Sequence, residues 1–544
     1  MKRSGRRKFV LAAGATLAAA GLAGGFLWRH RIPRDERDRD VTVRFPLDPA
    51  FPNPLRVPGT DGVLGVLDLP APLTMIATPV RHALAPGKPA VLLAYEVEHD
   101  GKTFLNPVLR VRSGTEAKIK FWNALDDTSI IHWHGLKVDS NNDGHPHYAV
   151  AGGASYDYQF TVANRAATYW YHPHPHHLTG RQTYLGLAGL LLVEDDDEMA
   201  LQQALDLKLG VTDIPLLIQD KRLDVTGQPA YAPDATERLH GYLGDQVLVN
   251  LTPQPHFDAA TRIYRFRIVN ASNARVYRLA FLHGAQQLTY HVIGNDGGLL
   301  ERPYAVSEAF LSPAERLDVL LDLRNARPGD AVTLVSLDFD PMHLESQGEA
   351  HGGHASHGAP ASPHGDGALP DGARIDLMRI IVRRKVAYGQ VPPPKLSHIT
   401  PIDVAGARHR TLKLDWSKNT WRLNGLTYDM RATPIVVKRG SVEIWEIRNA
   451  ARSMPHPMHV HGFQFQMLER SGSPAQQRRN AVNEQGLSAA DLGWKDTLLV
   501  WPGETVRLAI DFSHPFLGDQ VYMVHCHNLE HEDQGMMLNF KVAA

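Results

Sequence analysis

The chain contains a single cysteine, Cys526, among 544 residues. An intrachain disulfide framework is therefore excluded, and the one thiol that remains becomes worth locating. The chain also lacks a net charge of either sign. Lys+Arg number 57 against 58 Asp+Glu, for a formal charge of -1, so composition offers no electrostatic reason to expect nucleic acid or an anionic membrane as a partner. What the chain has in excess is histidine, with 29 copies.

Acidic residues are missing ahead of Asp35, where Arg6-Arg7-Lys8-Phe9-Val10-Leu11 leads into an apolar Ala/Gly-rich stretch ending near Trp28. This resembles a twin-arginine export signal, a route for proteins that fold before export and so suited to a chain built around a cofactor. The implied partner is the twin-arginine translocation machinery, and the implied location periplasmic or secreted. Ala18-Ala19-Ala20 fits a processing site, while Arg29, Arg31 and Arg34 after the apolar run also fit an uncleaved membrane anchor.

At about 150 residues per domain the length implies three or four domains. From about residue 90, short β-branched and aromatic runs alternate with Gly, Pro, Asn and Asp, which predicts β-sandwiches or barrels. Arg112-Ser-Gly-Thr-Glu-Ala-Lys-Ile-Lys-Phe-Trp-Asn123 is similar to Lys438-Arg-Gly-Ser-Val-Glu-Ile-Trp-Glu-Ile-Arg-Asn449, and each runs on to a His-x-His-Gly. Arg262 to Asn270 is a weaker third copy without a His pair. Leu311-Ser-Pro-Ala-Glu likewise matches Val500-Trp-Pro-Gly-Glu. After a signal and lead-in at 1–40, these repeats predict an all-β chain of three related domains, at about 70–195, 210–385 and 396–544. A low-complexity loop at 342–367 carries His343, His351, His354, His357 and His364, and the acidic run Glu194 to Glu198 reads as a surface linker.

Four His-x-His pairs occupy repeat-equivalent places in the outer domains: His132/His134, His172/His174, His459/His461 and His525/His527. Residues two apart on a strand share a face, so each pair presents two imidazoles together. About 1.5 such pairs are expected by chance from this histidine content, so placement carries the argument. The middle domain has none, which predicts eight imidazoles converging between the first and third domains, enough for about three copper ions. Cys526 lies between His525 and His527 and, in a strand, faces away from both, so its sulfur addresses a different metal. His456, His531 and Met536 complete a candidate His₂Cys site with a weak axial thioether, the blue-copper arrangement.

His132-Trp-His-Gly, Tyr171-His-Pro-His, His456-Pro-Met-His-Val-His-Gly and His525-Cys-His-Asn-Leu-Glu-His-Glu-Asp-Gln-Gly-Met536 resemble all four copper motifs of the multicopper oxidases. The likeness spans roughly residues 70 to 544 and looks closest to the bacterial laccase-like and copper-efflux enzymes. It implies three tandem cupredoxin-like Greek-key β-sandwich domains and about four coppers. Type 1 copper falls to His456, Cys526, His531 and axial Met536, and type 2 to His132 and His459. The type 3 pair takes His134, His172 and His527 on one side, and His174, His461 and His525 on the other. Some proteins of this fold, including a cell-division scaffold, have lost these ligands; here none is missing.

The resemblance implies an oxidase that takes single electrons from a reducing substrate (phenols, aromatic amines or metal ions) near an exposed edge of His456 or His531. The electrons pass through Cys526 to reduce O₂ to water, a conversion that also needs protons. Asp143 and Glu532 stand where the family keeps proton-relay acids. The alternatives are a cuprous oxidase in copper tolerance and, outside enzymes, a copper-binding or scaffold protein; a two-copper nitrite reductase would not need four His pairs. A His-bearing insert where the copper-efflux enzymes are Met-rich argues against Cu(I) as substrate. His145-Pro146-His147 reads as a surface loop, and His176 and His177 as residues behind or outside the ligands.

Overall fold

The computed structural model describes residues 48–69, 72–85, 88–343 and 368–544. The export signal and most of the His-bearing loop lie outside them. Among the described residues no helix is long and apolar enough to cross a membrane.

Six sheets pair into three cupredoxin-like sandwiches. The strand Glu116–Asn123 shows why these sequences fold this way, since its residues alternate strictly between solvent and core. Ala117, Ile119 and Phe121 point inward and are buried, whereas Glu116, Lys118 and Lys120 point out. Each large apolar side chain buried in this way contributes about 1.5–3 kcal/mol. The middle sandwich differs in kind, because its strands Asp213–Lys221 and Ile263–Asn270 are buried along their whole length. Both faces of that sheet are covered by protein.

The sequence repeats have a structural counterpart at one asparagine. Asn123, Asn270 and Asn449 each end a strand, and each donates both amide hydrogens to two backbone carbonyls. In the second and third copies the acceptors are equivalent: Arg275 and Leu311 in one, Met454 and Val500 in the other. The matched Pro-x-Glu turns agree too, with Glu315 accepting from the Ser312 N–H and Glu504 from that of Trp501. A buried side chain that satisfies otherwise orphaned carbonyls is costly to replace.

Three observations depart from the sequence reading. The strand Asn53–Pro54 pairs parallel with Pro255–Ala260, so the stretch between the lead-in and the first predicted domain belongs in part to the second sandwich before the chain enters the first. The acidic linker is not wholly at the surface: Glu198, in the helix Asp196–Leu205, is buried and bonds both Arg265 (2.5 Å) and Arg267 (2.6 Å) of the second sandwich. His343, at the edge of the low-complexity segment, is buried against Asp371 at 2.9 Å.

Candidate metal centre

The strand register brings the histidine pairs together. Ile131–His134 runs antiparallel to Ala167–Pro173 with His132 opposite His172. In the third sandwich His459 lies opposite His525, and Met458 opposite Cys526. Each outer sandwich thus presents imidazoles on one face, and the two faces meet. His134 stacks on His459 with centroids 3.7 Å apart, and His132 on His461 at 3.9 Å. All eight paired histidines are buried.

Metal-competent donor sets emerge from this packing: His132 with His459 and His461, His132 with His134 and His172, and His174 with His461 and His525. His527 joins through its Nε2, 3.4 Å from His172 Nε2. Cys526, His456 and His531 form a separate set, with Sγ 3.5 Å from Nδ1 of each imidazole. Met536 is fully buried in the same core cluster as Cys526, and its carbonyl accepts from the Cys526 N–H. The two centres are joined covalently, since His525 and His527 flank Cys526.

Hydrogen bonds fix which nitrogen of each ring faces inward. His132 Nδ1 lies 2.6 Å from the Asp143 carbonyl and His459 Nδ1 2.8 Å from that of Asp496. A carbonyl only accepts, so both Nδ1 atoms carry hydrogen and both Nε2 atoms carry lone pairs. Those lone pairs face each other across 3.4 Å, a repulsive contact that a cation between them turns into two bonds. At the other centre the logic is reversed: His531 Nε2 donates to the Leu239 carbonyl at 2.8 Å, leaving Nδ1 toward the sulfur. Burial holds three of the imidazoles neutral, with His172 lowered to about 4 and His174 and His531 to about 3. Neutral imidazole is the ligating form.

The two candidate acids lie against this cluster. Asp143 Oδ2 sits 2.7 Å from His461 Nδ1, and burial pushes its carboxyl well above the usual range. Glu532 spans His174 Nδ1 (3.5 Å) and His525 Nδ1 (3.2 Å). His145 is buried, with Nε2 2.9 Å from Asn539 Oδ1 of the third sandwich, so the His145-Pro146-His147 segment is only partly a surface loop. His177 is exposed and His176 half-buried beside the predicted ligand His174, the two rings stacked on each other. The expected exposed edge of the cysteine site is absent: His456 and His531 are fully buried, and their outer nitrogens meet Ser453 Oγ and the Leu239 carbonyl.

Sequence reading also missed Asp496. Its carboxylate lies 3.1 Å from His134 Nε2, its carbonyl receives His459, and it is gripped at both oxygens by Arg316 of the second sandwich. Gly135, the last residue of the first His-x-His-Gly, is at φ +88°, and a Cβ there would stand 2.5 Å from Asp496 Oδ2. The motif's glycine therefore makes room for this acid. The one available signal was Arg316 itself, a charge within a strand-forming repeat where the third copy has Thr505.

Three sandwiches with a cysteine–imidazole centre in the last, and an imidazole cluster shared by first and last, define a copper-oxidase architecture. Two family models described as "Multicopper oxidase" match residues 96–198 and 395–544. The multicopper oxidase mco of Staphylococcus haemolyticus is 30% identical over 80% of this chain and 82% of its own length. The solved McoA multicopper oxidase of Aquifex aeolicus is 40% identical, with a TM-score of 0.79 over 90% of this chain and 99% of its own. A cell division protein FtsP, from Photorhabdus laumondii, is 28% identical over 79% of this chain and 82% of its own. The chain belongs to the multicopper oxidase family, the oxidoreductases that couple one-electron oxidation of a reducing substrate to reduction of O₂ to water.

Proposed function

We propose that the chain holds about four coppers: one at His456, Cys526 and His531 with Met536 as weak axial donor, and three at the eight paired imidazoles. Of the latter, His132 and His459 hold one ion; His134, His172 and His527 hold the second, and His174, His461 and His525 the third. The opposed lone pairs of His132 and His459 carry this reading. Copper bound at these sites supplies one-electron oxidation of the donor at the thiolate end and four-electron reduction of O₂ at the imidazole end.

The protein's own work is positioning and proton delivery. The carbonyls of Asp143, Asp496 and Leu239 fix ring orientation and leave the inward nitrogens free to ligate. Asp143, whose carboxyl burial pushes well above the usual range, is suited to hold a proton beside His461, and Glu532 faces two imidazoles from the opposite side. Asp143 supplies a proton for water formation, and Glu532, held ionised by the flanking imidazoles, relays protons on that side. The buried thiolate centre excludes water, which keeps the site apolar around the sulfur.

The donor is a phenol or aromatic amine in this reading, since the segment beginning at Met342 is rich in imidazole and poor in thioether, the softer ligand that Cu(I) prefers. A scaffold role is disfavoured by the complete donor set. Export through the twin-arginine route follows from Arg6-Arg7 and from a cofactor inserted before translocation. Copper analysis and O₂ uptake with a phenolic donor test the proposal together. Blue protein with about four coppers and O₂ consumption is expected; colourless protein, or donor-independent O₂ uptake, refutes it.

A further inference from the structure

We infer that the reducing substrate docks in the cavity of about 900 Å³ against the helix Leu529–Asp533, and that this cavity selects an aromatic donor bearing an anionic group. The inference rests on the reading of His456, Cys526 and His531 as the electron-accepting centre.

Both imidazoles of that centre are fully buried and their outer nitrogens are hydrogen-bonded. A donor therefore cannot touch them and must rest one residue layer away. The cavity walls come from the immediate chain neighbours of the groups that cover the centre. Arg238 precedes Leu239, Glu530 precedes His531, and Thr420 and Arg422 flank Trp421. On the strand Thr420–Leu423 alternate residues point to opposite faces, so Thr420 and Arg422 meet the cavity while Trp421 turns inward. The Trp421 ring lies 4.6 Å from that of His456 and 5.6 Å from that of His531. Its Nε1 donates to the Leu239 carbonyl at 2.9 Å, the same acceptor that receives His531. Trp421 and Leu239 thus form a continuous bridge from the cavity wall to the centre.

Size and charge identify the occupant. Small-molecule sites span roughly 300–1,000 Å³, whereas O₂ and water need far less and need no charge. The guanidinium of Arg238 makes no ion pair among the described residues, and that of Arg422 donates only to the carbonyls of Ser417 and Gly425. The acids that share the wall, Glu530 and Asp533, are occupied by hydrogen bonds within the fold. Glu530 accepts from Asn273, Tyr231 and the Tyr242 N–H, and Asp533 from the N–H groups of Thr179 and Gly180. The rings of Tyr231 and Tyr428 supply apolar walls for a planar donor. In the step itself the donor's phenolic O–H gives its proton to solvent and one electron to the oxidised centre, leaving a phenoxyl radical, with O₂ as final oxidant.

Vanillate and neutral guaiacol, alike except for the carboxylate, serve as probes on the full-length chain. Calorimetry on copper-free protein is expected to show vanillate binding that weakens about tenfold in the R238Q/R422Q double variant and also weakens as salt is raised. On copper-loaded protein the ratio of kcat/KM for vanillate over guaiacol falls by a similar factor, through KM. Copper-free protein that binds vanillate no better than guaiacol overturns the inference. So does an unmoved ratio, or an effect of the double variant confined to reoxidation by O₂. Protein that oxidises neither donor overturns the oxidase reading instead, so the two failures are distinguishable.

Discussion

Replacing Arg316 with Met tests whether the middle sandwich, which contributes none of the eight paired histidines, nevertheless holds the imidazole cluster in place. The Arg316 guanidinium is fully buried, bonds both oxygens of Asp496, and also donates to the carbonyls of Thr168, Ala314 and Asp296. Removing it leaves the Asp496 carboxylate buried without its counterion, a change that costs about 3–5 kcal/mol. At roughly 2–4 °C per kcal/mol for a domain of this size, Tm should fall by about 6–20 °C. Asp496 would also lose its hold on His134 and His459, so metal analysis should show copper missing from the imidazole cluster while the blue colour of the Cys526 centre persists. Adding Asp496→Leu removes the orphaned charge and should restore much of the stability, because replacing both partners of a buried pair is often close to neutral. It should not restore the copper. A single variant with wild-type Tm and full copper content would refute the reasoning. Recovery of both stability and copper in the double variant would show that Asp496 does not position the ligands.

Cys526→Ser should abolish the blue colour and the oxidase activity while most copper of the imidazole cluster stays bound, read by absorption and metal analysis. Met536→Leu should keep the colour and raise the potential of that centre in redox titration, since the axial donor tunes it; an unchanged potential argues against Met536 as a ligand. Asp143→Asn and Glu532→Gln should slow the O₂ half-reaction about 10²-fold or more, the lower end of what a positioned proton donor contributes. Stopped-flow would show bleaching at a near-normal rate and slow return of colour, and slow bleaching with normal return would put these acids on the donor side.

The repeats and the His pairs were legible because strand alternation fixes what residues two apart share, and because the same Asn and Pro-x-Glu residues solve the same backbone problem in each copy. Cys526 was legible for a related reason: on a strand its side must differ from that of His525 and His527. Burial of the thiolate centre was not. It depends on Leu239 and Trp421, from another sandwich and another strand, which no local pattern connects to His531. Asp496 and Arg316 escaped on the same ground, their pairing spanning 180 residues. Glu198 looked like one more acid in a solvated run, and only its docking onto Arg265 and Arg267 distinguishes it from its neighbours.

That burial also sets how the copper-free protein responds to acid. An unfolded histidine titrates near 6.5, whereas His172 in the folded chain is lowered to about 4, and His174 and His531 to about 3, in each case mainly by burial. Between those limits the unfolded chain binds more protons than the folded one, so stability falls as pH falls from about 6.5. For each of these three groups the loss at pH 5 is about 2 kcal/mol, the equivalent of the 1.5 units separating pH 5 from the unfolded value. These losses do not simply add, because His172 itself contributes to lowering His174, and the carboxyls of Asp143, Glu530 and Asp533, raised by burial, act in the opposite sense. The histidine contribution is therefore read by comparison, from denaturant midpoints of copper-free wild-type and variant protein measured from pH 7.5 to pH 5. Replacing His531 with Gln should flatten the curve, because a group that does not titrate contributes no slope. An equally steep curve in the His531→Gln protein would show that this imidazole is not held neutral by the fold.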